Sequence, residues 1–140
     1  MKMRVMLTAL LGGLALLVAA GSNNAAVAED PDISTIMKKV NSGKTALKAT
    51  MKAGLTAKQP DWDVLKTSAE QLTELAVALG KNKQPKGPDE SWKKLTGLYA
   101  ENAKALEAAI GKKDAKASNA AYAKFFAGST CGACHKVHQD

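Results

Sequence analysis

The chain is poor in arginine and in aromatic residues. Its only arginine is Arg4, so lysine carries the positive charge of the remainder. Aromatic residues make up 4% of the chain, and they do not alternate with the lysines in the pattern that base stacking on a nucleic acid needs. Without Lys2 and Arg4 the chain has 18 lysines against 13 acidic residues, a net charge of +5. We assign this excess to a solvated lysine surface and predict no nucleic-acid partner. Such a surface also favours encounter with an acidic partner.

Strand patterns and catalytic constellations are missing as well. The sequence has no sustained alternation rich in β-branched residues, which a β-sheet would need. It also has no activated nucleophile and no paired acid and base at a common site. We therefore predict an all-α protein that is not an enzyme.

Long apolar runs are absent except at the N-terminus. A short basic start precedes an apolar run over residues 5–20, and Ala-Val-Ala at 26–28 fits the small-x-small rule of signal peptidase. The run is shorter than the about 20 residues that cross a bilayer. We predict a secretory signal peptide over 1–28, cleaved after Ala28, and a periplasmic domain over 29–140 with no membrane span. An uncleaved anchor is the alternative.

The mature chain shows helical apolar spacing in four segments. The segments cover residues 32–58, 61–80, 89–111 and 114 onward. Gly43 weakens the first segment by about 1 kcal/mol relative to alanine and marks a place for a kink or break. The fourth segment carries one stripe formed by Ala121, Phe125, Gly128, Cys131 and His135. Four amphipathic helices with short loops predict an antiparallel up-down-up-down four-helix bundle.

The fourth segment ends in the strongest motif of the sequence. Residues 131–135 read Cys-Gly-Ala-Cys-His, the C-x-x-C-H signal for haem attachment. Thiols three residues apart lie on one helix face, where each can add to a vinyl group on the same porphyrin edge. The following imidazole then supplies the proximal nitrogen. We predict one covalent haem c, held by Cys131 and Cys134, with His135 as an iron ligand.

Three other interpretations compete for this motif. A disulfide between Cys131 and Cys134 would close too short a loop to stabilise a fold. A thioredoxin-like motif belongs near a βαβ pattern, which the sequence lacks. A zinc site that adds His135 and His138 has four ligands, but one continuous helix cannot arrange them as a tetrahedron.

The bundle topology also selects residues for the other haem face. The end of the fourth helix lies level with the starts of the first and third, so we place Met37 and Trp92 at the haem. Met51 follows Met37 by 14 residues, or about 21 Å of helix, and is predicted to be core. Met37 is the predicted sixth iron ligand, with ordinary core filling as the alternative. His138 is expected at the surface or edge.

These residues together resemble the class II cytochromes c, the cytochrome c′ group and its low-spin relatives. The resemblance rests on the C-terminal position of the haem motif, on Pro-Asp-Glu-Ser-Trp at 88–92 and on Ile-Met-Lys-Lys at 36–39. It implies a periplasmic electron-transfer protein with redox partner proteins. Some relatives dimerise through helices one and two, so a homodimer is an arrangement that the resemblance allows.

The resemblance also implies two coordination states. A methionine at the position of Met37 gives a six-coordinate, low-spin iron. A non-ligating residue there leaves a five-coordinate iron that binds nitric oxide or carbon monoxide. The chain departs from the family at His138 and Gln139, where an aromatic and a basic residue are common. It also lacks the arginine that the family often has near the haem in helix one.

Overall fold

The computed structural model describes residues 30–126 and 128–139 of the 140-residue chain. Within these ranges every regular element is a helix and no strand occurs, which confirms that the protein is all-α as predicted. The predicted signal peptide over 1–28 lies outside the described residues. Six helices follow one another: α1 Ile33–Asn41, α2 Leu47–Thr56, α3 Trp62–Lys81, α4 Asp89–Gly111, α5 Ala115–Phe126 and α6 Ser129–His138.

The first predicted helix is divided into α1 and α2. The chain leaves the helix after Asn41 and adopts a positive φ of 89° at Gly43, a conformation that glycine reaches without steric cost. The N-terminus of α1 is capped by Asp32, whose Oδ1 accepts from the Thr35 amide at 2.6 Å. This hydrogen bond lowers the pKa of the Asp32 carboxyl. The break expected at Gly43 is therefore confirmed.

The second and third predicted helices are confirmed almost residue for residue. Asp61 caps α3, because its Oδ1 accepts from the amides of Asp63 and Val64 at 3.1 Å each. The acidic side chain thereby satisfies two amides that lack a partner within the helix. The next helix, α4, runs from Asp89 to Gly111, as the sequence predicts.

The fourth predicted helix is also divided, and here a continuous helix was the wrong prediction. Asp114 accepts from the Ala117 amide at 2.9 Å and begins α5. The helix ends at Phe126, and α6 begins after Gly128. A Cβ at position 128 would collide with the carbonyl oxygen of Lys124. The close approach of the two backbone segments therefore requires glycine at the break.

The helices enclose one core. The most extensive contact between helices is that of α3 with α4, and α4 also packs on α5 and α6. On the other side, α2 packs on α3 and α5, and α1 packs on α2 and α3. Met51 is fully buried, which confirms it as a core residue. The largest fully buried apolar side chains are Phe125, Ile36, Met51, Leu65, Leu72, Leu106, Ile110 and Val40. Among the described helices, none combines the length and apolar character that a bilayer crossing requires.

Candidate functional site

The motif at 131–135 lies in the first two turns of α6. Cys131 and Cys134 are half-buried and pack against the core, and both are free thiols. His135 is exposed. The inner face of α6 is formed by residues 131, 134 and 138, at the helical spacing i, i+3, i+7. The predicted stripe placed His135 on the buried face, and that placement is wrong.

Aromatic side chains surround the two thiols on the core side. The Cys131 thiol lies 3.7 Å from the Phe125 carbonyl oxygen, to which it donates. The Phe125 ring packs against Tyr99 with centroids 4.5 Å apart. Tyr99 is buried, and the two cysteines contribute to the raised pKa of its hydroxyl. Both cysteines therefore pack against the core cluster that contains Tyr99 and Phe125.

Burial at the core changes the pKa values of the two thiols and of Tyr99. Burial raises the pKa of the Cys131 thiol, and the nearby Lys48 ammonium partly offsets the effect. Burial also raises the pKa of Cys134, and the adjacent Cys131 adds to it. The pKa of Tyr99 is raised for the same reasons, burial first and the two cysteines second. All three groups are therefore held in their neutral forms at neutral pH.

His138 is buried, which corrects its predicted position at the surface. Its ring is 2% exposed. Nδ1 lies 2.6 Å from the Lys86 carbonyl oxygen, and Nε2 lies 3.2 Å from Ser91 Oγ. Because a carbonyl only accepts, Nδ1 carries a proton and donates to Lys86, and Nε2 pairs with the serine hydroxyl. Both ring nitrogens are thus engaged in hydrogen bonds.

Trp92 is buried beside this histidine. The two ring centroids are 5.3 Å apart at 75°, an edge-to-face contact of the favoured kind. The indole Nε1 donates to the Asn82 carbonyl oxygen at 2.9 Å. Trp92 is therefore near α6, because it contacts His138, which lies one helical turn beyond His135. Its predicted part in cofactor binding stays a prediction.

Met37 is half-buried on α1 and packs against the core. Ile36 and Val40, its neighbours on the same helix, are buried. Its sulfur accepts a long contact from the Asn41 side-chain amide at 3.9 Å. The side chain is thus placed among apolar neighbours with its sulfur only weakly engaged. Its role as an iron ligand stays a prediction.

The donor set fits a haem better than it fits the competing groups. Two free thiols stand on one helix face, and the His135 ring makes no hydrogen bond with any described residue. In the described ranges, no group of three or more His, Cys, Asp or Glu side chains is arranged to hold a metal ion. To join a zinc site, His138 would have to give up the hydrogen bond at one of its two ring nitrogens.

Two residues of this region were not predicted from the sequence. Tyr99 follows Trp92 by two helical turns, so the heptad spacing places both on one face of α4 and offered a signal. His138 stands at i+7 from Cys131, a spacing that also marks a shared face. Its hydrogen-bond partners, however, lie 52 and 47 residues away in sequence.

Comparisons with known proteins leave this assignment to the residues themselves. No protein-family model, no curated protein and no solved structure matches the chain.

Proposed function

We propose that the chain is an exported, periplasmic c-type cytochrome that transfers electrons between redox partner proteins. One haem is bound through thioether bonds to Cys131 and Cys134, with His135 and Met37 as the axial iron ligands. The observation that carries this proposal is the C-x-x-C-H motif on α6, with both thiols free and the following imidazole exposed and unengaged. The leading segment 1–28 accounts for export to the compartment where such haems are attached.

The proposed architecture is an up-down-up-down four-helix bundle of class II cytochrome c type. Its first arm consists of α1 and α2, which are interrupted at Gly43, and its fourth arm of α5 and α6, which are interrupted at Gly128. The pairings of α3 with α4 and of α4 with α5 and α6 support antiparallel neighbours joined by short loops. A homodimer through the first two arms is an arrangement that this architecture allows.

The side chains around α6 suit a carrier of single electrons. A bound haem supplies an iron that alternates between the ferrous and ferric states. The two cysteines fix the porphyrin to a helix that packs on α4, and Tyr99 and Phe125 exclude water from the sulfur side. An apolar, rigid surrounding reduces the reorganisation that accompanies a change of iron charge and raises the reduction potential.

A five-coordinate haem that binds nitric oxide or carbon monoxide is the alternative function. Met37 packs against the core like a filling residue, and this observation favours an open sixth position. The two functions differ in one bond, that between the methionine sulfur and the iron. A variant that removes this sulfur without changing the volume of the side chain distinguishes them.

The test compares Met37→Leu with Met51→Leu in protein made in a host that attaches haem in the periplasm. Both substitutions remove a sulfur and conserve volume, which costs less than about 1.5 kcal/mol. We expect the wild type and Met51→Leu to show a methionine-to-iron charge-transfer band in the ferric visible spectrum. Met37→Leu should lose that band and bind carbon monoxide readily when reduced.

Two results would contradict the proposal at different levels. A high-spin ferric spectrum in the wild type, unchanged in Met37→Leu, would favour the gas-binding alternative. A mature polypeptide whose mass equals that of its amino acids alone would remove the haem and both functions with it.

A further inference from the structure

A series of contacts connects the end of α6 to the segment before α1. We call it the His138 anchor and define it by His138, Lys86, Ser91, Trp92 and Asn82. All five residues lie at the end of the molecule where α6 and the start of α4 meet. The anchor does not include the thiols or His135, and Trp92 is its one member that the sequence also predicts beside the haem.

The first part of the anchor fixes α6 to the loop before α4. His138 donates from Nδ1 to the Lys86 carbonyl oxygen at 2.6 Å, and its Nε2 pairs with the Ser91 hydroxyl at 3.2 Å. The loop approaches so closely at Gly87 that an added Cβ would lie 3.1 Å from His138 Nδ1 and 3.0 Å from the Val137 carbonyl oxygen. The ring is therefore held from two sides and has no room to swing.

The second part continues to the start of α1. The Trp92 ring stacks edge-to-face on His138, and its Nε1 donates to the Asn82 carbonyl oxygen at 2.9 Å. The Asn82 side-chain amide donates in turn to the Pro31 carbonyl oxygen at 3.1 Å. Pro31 lies directly before Asp32, the N-cap of α1. Hydrogen bonds and one ring contact thus link α6 to the beginning of the helix that carries Met37.

We propose that His138 is a positioning residue that sets His135 and Met37 at their working separation. His138 follows His135 by three residues on the same short helix, so a helix fixed at His138 presents His135 in one orientation. The same contacts hold the start of α1, and with it Met37. This inference rests on the proposed function, because it concerns the two proposed iron ligands. His138 acts through them and does not bind the iron itself, since both of its nitrogens are occupied.

The experiment compares His138→Phe with His138→Asn in the haem-loaded, full-length protein. Phenylalanine keeps an aromatic ring against Trp92 and removes both hydrogen bonds. Asparagine carries a donor near the position of Nδ1 and can keep the bond to Lys86. The readouts are the affinity of the ferrous protein for carbon monoxide, the methionine-to-iron band, and the hydrogen exchange of the α6 amides.

We expect His138→Phe to bind carbon monoxide about tenfold more tightly than the wild type, because the loss of the anchor weakens the competing methionine bond by the worth of about one hydrogen bond. Its methionine-to-iron band should weaken, and the amides of 135–139 should exchange about tenfold faster. His138→Asn should restore most of each change. A role in folding alone would lower stability and leave the carbon monoxide affinity and the band as they are.

The outcomes separate this inference from the function on which it rests. If haem-loaded His138→Phe binds carbon monoxide as the wild type does, His138 does not position the ligands, and the electron-transfer proposal stands. If the wild type carries no haem, both fail. Should His138→Phe not accumulate, Ser91→Ala removes one of the two bonds, and Gly87→Ala presses a methyl group against the ring. Unchanged carbon monoxide affinity in both would equally overturn the inference.

Discussion

Lys48 shows how one side chain tunes the proposed attachment site. Its ammonium lies 5.7 Å above the centre of the Phe126 ring and lowers the pKa of the Cys131 thiol against the larger effect of burial. Cys134 receives no such contribution, and the charge of Cys131 raises its pKa further. The two thiols of the motif are therefore unequal, with Lys48 assisting only the first.

This inequality predicts a difference in reactivity in the haem-free polypeptide. A thiol reacts as the thiolate, so Lys48→Gln should slow the alkylation of Cys131 by iodoacetamide at mildly alkaline pH and leave Cys134 nearly unchanged. Lys52→Gln, one turn further along α2, is the matched control and should behave as the wild type. Mass spectrometry of the labelled peptide measures both rates. Equal slowing in the two variants would show an effect of net charge and not of the contact at Cys131.

The raised thiol pKa values also predict how the free energy of unfolding changes with pH. A thiol whose pKa is higher in the folded than in the unfolded chain stabilises the fold below the unfolded value. That contribution is lost as the pH rises from the usual thiol range toward the folded value. The free energy of unfolding of the haem-free chain should therefore fall with alkaline pH, and a double Cys131→Ser, Cys134→Ser variant should show a smaller fall. Urea unfolding at a series of pH values measures it.

At the scale of the helices, the sequence predicts the boundaries that are set by hydrogen bonds between residues close in sequence. The starts of α3 and α5 were predicted because Asp61 and Asp114 accept from amides within three residues of themselves. The break between α5 and α6 was not predicted. Gly128 fits the apolar stripe of a continuous helix, and the conflict with the Lys124 carbonyl oxygen appears only once the chain has folded.

The candidate site likewise has one part that the sequence predicts and one part that it does not. The cysteines and His135 were found from a contiguous motif, whereas the burial of His138 depends on groups that approach from the loop before α4. Its sequence neighbourhood is polar and gave no reason to bury it. The spacing from Cys131 alone indicated a shared helix face.

The break at Gly128 can be tested against Gly132, a glycine inside α6. Gly128→Ala should destabilise the fold by about 1–3 kcal/mol, because the added methyl group meets backbone that cannot move without opening the end of α5. Gly132→Ala has open space around its Cβ and should stabilise α6 by about 0.5–1 kcal/mol. Urea unfolding followed by circular dichroism measures both. A Gly128→Ala variant as stable as the wild type would mean that the α5–α6 junction differs from the one described.

Over the whole molecule the charge is distributed unevenly. Residues 33–60 contain six lysines and no acidic residue, and all six side chains are exposed. None of them forms a salt bridge with a described residue. The ion pairs of the described chain lie elsewhere and join Lys66 to Glu70, Lys81 to Asp30 and Lys93 to Asp89. We call the α1–α2 surface that carries these six lysines the basic surface; it adjoins Cys131 through Lys48.

The basic surface predicts that electron transfer to an anionic oxidant depends on local charge. Lys48→Glu with Lys52→Glu should slow oxidation of the haem-loaded protein by ferricyanide about tenfold at low ionic strength, since steering by a charged surface acts on the rate of encounter. The control pair is Lys112→Glu with Lys113→Glu, which changes the net charge by the same amount. These two lysines come just after the end of α4, more than ten residues beyond Tyr99. Stopped-flow spectroscopy against salt concentration compares them. The same slowing in both pairs would assign the effect to the total charge alone.

The His138 anchor has a consequence for the order of events during synthesis. The groups that receive the histidine ring precede it by 52 and 47 residues, so they emerge first from the ribosome. The two cysteines also precede His138 in the sequence, so they are synthesised before α6 can be fastened. Burial holds the pKa of both thiols high once α6 has docked, which makes the undocked interval their most reactive one. The direction of synthesis thus leaves the two thiols accessible until the packing of α6 is complete.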